Sequence, residues 1–174
     1  MPDYVLVSVP LLGAAVWGLL IYNRLVGLRN QLEAAWSDID VQLKRRHDLV
    51  PILVTTVKAY ARHEQETLAR VMEQRANALA ATGPRSQFQA EAGVLEGVAS
   101  VMVVAEAYPE LKAGENFLRL QRDFVAIEDH IQYARRFYNG AVKLNNILVE
   151  QFPALLVARM FGFRQAEFFD ADCS

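Results

Sequence analysis

FLRLQRDFVAIEDHIQYARRFYNGAVKLNNILVE, residues 117–150, decides how this chain folds. Phe117, Leu120, Phe124, Ile127, Ile131, Ala134, Tyr138, Ala141, Asn145 and Leu148 recur in alternating steps of three and four. At about 3.6 residues per turn, such spacing draws one seam along about nine turns of helix. Left-handed bundle packing uses that seam. Its one polar member, Asn145, reads as a register-fixing residue rather than a site. Pro153 ends the helix.

Upstream, the sequence is helical almost throughout. Leu25, Leu28, Leu32, Ala35, Trp36, Ile39 and Leu43 form one apolar stripe. Trp36 and Ile39 are expected inward, with Asp40 in reach of Lys44 four residues on. RRHDLVP, residues 45–51, then predicts a turn, with Asp48 as helix cap and Pro51 in a first turn. A continuous helix kinked at Pro51 is the alternative. A second helix, with Leu53, Val57, Tyr60, Ala61, Leu68, Val71, Met72 and Leu79 inward, stops at the Gly-Pro of residues 83–84. Ser86 is expected to cap a third, which runs through Phe88, Leu95, Val98, Met102 and Ala105. The fold class is therefore all-α: an up-and-down four-helix bundle over residues 24–151 and a short C-terminal helix in an aromatic tail, residues 152–174.

Residues 1–23 read as a membrane anchor. YVLVSVPLLGAAVWGLLIY, residues 4–22, carries no charge. A hydrocarbon core of roughly 30 Å needs about 20 helical residues, so a single span fits. Tyr4, Trp17 and Tyr22 sit near its ends, as interfacial aromatics do. A secretory signal would carry a basic start and a small-residue cleavage site, and this segment has neither. No break separates Tyr22 from Leu25, so the anchor and the first stripe can form one rod. The N-terminal flank holds Asp3, while Arg24, Arg29, Lys44, Arg45 and Arg46 follow the run. The positive-inside rule then puts a short N-terminus outside and the bundle in the cytoplasm.

Composition and motifs restrict the chemistry. Eighteen basic side chains face 20 acidic ones, a net −2, so nucleic acid is not an expected partner. The single cysteine, Cys173, excludes an internal disulfide and a Cys-rich metal knuckle. No Glu-x-x-His pair of the di-iron bundles occurs, and His63-Glu64 lacks the second histidine of a zincin. His47, His63 and His130 are expected at the surface. No P-loop, G-x-G-x-x-G or G-x-S-x-G is present. No catalytic, cofactor-binding or metal-ligating residue is assigned, and no enzyme is expected. Lys44-Arg45-Arg46 reads as a basic run in helix-surface ion pairs, with anionic lipid the alternative partner.

Residues 22–64, YNRLVGLRNQLEAAWSDIDVQLKRRHDLVPILVTTVKAYARHE, closely resemble the hallmark stretch of the LemA family. The likeness resumes in YPELKAGENFLRLQ (108–121), ARRFYNGAVKLNN (134–146) and FPALLVARMFGF (152–163). Ile52 departs from it, since many relatives carry Asn there. The resemblance implies an N-terminal membrane helix, a cytoplasmic helical bundle and no catalytic residues to carry over. Some similar proteins are associated with membrane organisation, including magnetosome membrane formation, and others lie beside a membrane metalloprotease gene. The expected function is thus a membrane-anchored scaffold that self-associates and meets the lipid bilayer, with other membrane proteins as further partners. A ligand-binding or enzymatic bundle with an unrecognised pocket is the alternative. In the tail, Phe152, Leu155, Leu156, Met160 and Phe163 read as one apolar side of a short helix. It would pack on the bundle, the membrane interface or another subunit.

Overall fold

A computed structural model describes residues 3–169, with side chains from Ser8 onward. The described residues form six helices and no strand: α1 (Asp3–Lys58), α2 (Gln65–Ala80), α3 (Pro84–Glu106), α4 (Pro109–Lys112), α5 (Glu115–Glu150) and α6 (Ala154–Met160). The fold is all-α, and α5 follows its seam closely. Every seam position is buried except Ile127, which is half-buried.

The expected turn at residues 45–51 does not exist. α1 passes through Pro51 as one helix of 56 residues. A proline inside a helix leaves the carbonyl four residues back without its N–H donor. Here that carbonyl is His47 O, and Arg75 of α2 donates its Nε to it at 2.7 Å. The helix continues because a distant side chain replaces the lost donor. The break falls later, at residues 59–64, where the Tyr60 and Ala61 amides both bond to the Val57 carbonyl. Two members of the expected second-helix face, Tyr60 and Leu79, lie exposed. The Gly-Pro stop holds, but α3 starts at Pro84 after Gly83 rather than at a Ser86 cap. Gly83 takes φ +86°, a left-handed conformation that only glycine adopts cheaply.

The helices divide between two compact units. The first comprises α1 as far as Trp36 together with Phe137–Glu167. Its core sets Leu25 against Leu148, Val149, Ala154, Val157 and Ala158, flanked by Ile21, Tyr22, Leu28 and Phe163. The second comprises Ser37–Arg136 with Phe168 and Phe169. There Val50, Leu53, Val57, Leu68, Val71, Val94, Val98, Val101, Phe117 and Phe124 are buried together. Gly97 sets the approach of α2 to α3, since a Cβ there would stand 2.9 Å from Val71 Cγ2.

Candidate functional site

Within the first unit, the apolar run of α1 is largely uncovered from Val9 to Leu20. Val9, Leu11, Leu12, Val16, Leu19 and Leu20 are each more than half exposed. Burial of such side chains normally drives folding, so this row of exposed ones marks a contact surface rather than a core. α3 is also long and apolar enough to cross a bilayer, but its most apolar stretch is buried to a third, whereas that of α1 is almost wholly exposed.

The tail as far as Glu167 belongs to this unit, and residues of α5 hold it by hydrogen bonds. Asn146 clasps Ala166 from both sides: its Nδ2 donates to the carbonyl at 3.0 Å and its Oδ1 accepts from the amide at 2.8 Å. Asn145 Nδ2 donates to the Arg164 carbonyl at 3.3 Å. The Tyr138 hydroxyl donates to the Glu167 carbonyl at 2.9 Å. Burial, aided by the Glu167 charge, pushes that phenol up to about 12. Asn145 is therefore buried as its seam position implies, and it serves a tail carbonyl. The expected apolar stripe of the tail is corrected. α6 buries Ala154, Val157 and Ala158, while Phe152, Leu156 and Met160 stand exposed on the other side. The small residues permit close packing on α1, which turns the large ones outward.

Within the second unit, Arg46 and His47 point inward, correcting the surface placement of both. Arg46 is 4% exposed and His47 3%. Arg46 donates to Glu91 of α3 and to Glu128 of α5, the latter at 2.9 Å. His47 Nε2 lies 2.7 Å from Glu91 Oε1. Burial alone would raise the Glu91 carboxyl, but contact with His47 and the Arg46 charge hold it below its ordinary value. Lys44 and Arg45 are exposed as expected, and among the described residues no ion pair joins Asp40 to Lys44. His63 and His130 are exposed. The signal for Arg46 was in the sequence: the α1 stripe runs through Ile39, Leu43, Arg46, Val50, Leu53 and Val57 without a change of phase.

Beside this cluster an apolar groove of about 1010 Å³ runs between α3 and α5. Leu95, Val98, Met102, Leu118, Phe124 and Val125 line it, and Arg46 and Glu128 stand among its polar lining. With both carboxylates engaged by Arg46, the cluster ties α1, α3 and α5 together. Among the described residues, no three His, Cys, Asp or Glu side chains gather as metal ligands.

The LemA family model matches residues 35–174. Two magnetosome proteins of Paramagnetospirillum magneticum, MamQ 1 and MamQ 2, are each 23% identical over 87% of this chain and 65% of their own length. Magnetosome protein MamQ of Magnetospirillum gryphiswaldense is 22% identical with the same coverage. The chain thus spans about 65% of the length of the curated relatives it matches. These similarities fit a membrane-associated helical protein.

Proposed function

The chain belongs to the LemA family, and from that premise we propose that it is a membrane-anchored helical scaffold that self-associates and organises membrane. The observation that supports this reading most strongly is the uncovered apolar run of α1 between Val9 and Leu20. A bilayer removes that surface from water at roughly 25 cal/mol per Å². Exposed cations follow the run at Arg24, Arg29, Lys44 and Arg45, whereas Asp3 precedes it, so the units beyond the run face the cytoplasm. Arg46, buried and paired, adds nothing to that count. Relatives named as magnetosome proteins suit a role at a membrane.

Removal of residues 1–23 tests the anchor. The full chain should sediment with membranes, and the truncated chain should stay in the supernatant with its helicity intact. Equal sedimentation of the two would overturn the anchor. Mass measurement in mild detergent tests self-association, which a strictly monomeric full chain would refute. The α3–α5 groove favours a second reading, a binder of an elongated apolar ligand. A small molecule retained through purification and absent from a groove-filling Ala99→Trp variant would support that reading over the scaffold.

A further inference from the structure

We propose that α6 is a second membrane-contacting element: its outer face, Phe152, Leu156, Met160 and Phe161, lies in the headgroup region of the same leaflet through which α1 emerges. This deepens the anchor reading and rests on it. All four side chains are more than half exposed, Phe152 and Met160 by 75% and 73%. Leu156 and Met160 are spaced four apart on one face of α6, and Phe152 and Phe161 flank its two ends. Four large apolar groups together on a short segment whose opposite face is already packed need a cover.

The bilayer is the cover that position favours. α6 packs through Ala154, Val157 and Ala158 on Leu25, with Leu28 beside it. Leu25 is three residues past Tyr22, the last residue of the uncharged run. At about 1.5 Å per residue, Leu25 lies about 4.5 Å beyond Tyr22 and Leu28 about 9 Å. The headgroup layer on each side of the hydrocarbon core is about 5–7 Å deep. α6 therefore sits within the outer part of the headgroup layer and at its edge. The contact is direct, for the Tyr22 ring lies 4.8 Å from that of Phe161 and 5.8 Å from that of Phe163, centre to centre. Gly162 makes this return possible. With φ +73° it ends α6, while the Phe163 amide bonds back to the Ala158 carbonyl at 2.9 Å, so the chain doubles toward Tyr22.

Charge agrees. α6 has no acidic residue in its first turn and carries Arg159 in its last. Arg24, next to Leu25, and Arg159 and Arg164, in and just after α6, are exposed. Exposed arginines on the same short elements as an apolar face suit lipid chains below and phosphates beside them.

Spin-label accessibility in the full chain tests the proposal. Cys173→Ser removes the only cysteine. Single cysteines at Val16, Glu73, Leu156 and Met160 are then labelled, all at exposed positions. The protein is reconstituted into phosphatidylcholine–phosphatidylglycerol vesicles. Collisions with oxygen report lipid, and collisions with a water-soluble nickel chelate report solvent. Labels at 156 and 160 should fall between the two references, with an oxygen-to-nickel access ratio severalfold above that at 73 and below that at 16, which should favour oxygen. If 156 and 160 match 73 while 16 stays in lipid, the proposal fails and the anchor stands. Shielding of 156 and 160 from both reagents would mean that protein covers this face, which also overturns it. Nickel access at 16 would instead refute the anchor itself.

Discussion

Arg75 Nε donates at 2.7 Å to the His47 carbonyl, the one that Pro51 deprives of its helical donor. The bond spans two helices and lets a proline reside inside α1, near its C-terminal end. Arg75→Ala should cost about 1–3 kcal/mol, because a partly buried carbonyl loses a charged donor. Pro51→Ala returns an N–H to the same carbonyl, so Arg75→Ala should cost less in that background. Thermal melts of the four proteins by circular dichroism measure the coupling. Strict additivity would show that the two residues act independently.

Acid should weaken the second unit through Glu91. Its carboxyl sits below the ordinary 4.5, although burial acts the other way. The folded protein therefore holds this proton less readily than the unfolded chain. The resulting stability is fully present above pH 4.5 and is lost as pH falls through the depressed folded value. Glu91→Gln should flatten that acid limb. It should also lower stability at neutral pH, since Arg46 keeps a buried charge with one carboxylate fewer. An unchanged slope of melting temperature against pH in the variant would assign the acid limb to other carboxyls.

Two glycines of α3 should respond in opposite directions to alanine. At Gly97 the new Cβ would lie 2.9 Å from Val71 Cγ2, inside a packed interface, and 2.1 Å from Gln74 Oε1, which can swing away. Overpacking of this kind costs about 1–3 kcal/mol, more than the helix-propensity gain of about 1 kcal/mol. At Gly93 the nearest atom would be 3.7 Å away, ordinary contact, so alanine should stabilise by a few tenths to about 1 kcal/mol. Melting temperatures that move together would contradict the close approach of α2 to α3.

Asn146→Ala should free the tail without unfolding the helices. It deletes both hydrogen bonds to Ala166, a loss of about 1–3 kcal/mol locally. Amide exchange at Ala166 should quicken by roughly tenfold or more while α5 amides keep their protection. Unchanged exchange at Ala166 would show that the tail is held by other contacts.

Much of the fold was legible because helical spacing is local. The α5 seam and the Gly-Pro stop after α2 are written in neighbouring residues. The site-level features were not, because each depends on residues far along the chain. Pro51 reads as a break until Arg75 is known to lie beside it. His47 and Arg46 read as surface residues when only i+4 partners are considered, yet Arg46's carboxylate partners lie 45 and 82 positions away. The tail misled for a different reason. Its large apolar residues drew the stripe, while Ala154 and Ala158, too small to count strongly, form the packed side.

The unbroken course of α1 gears its apolar run to α6. With no joint between Tyr22 and Leu25, the azimuth of Val16 or Leu20 is locked to that of the α6-binding face by helix phase alone. One residue inserted at Asn23 would rotate the run by about 100° against that face, and two would nearly reverse it. Three or four would bring it almost back, advanced by one pitch of about 5.4 Å. Length changes at this point thus act as rotations, tolerable only in near-whole turns, and a partner meeting the run within the bilayer would sense them as a change of direction rather than of distance.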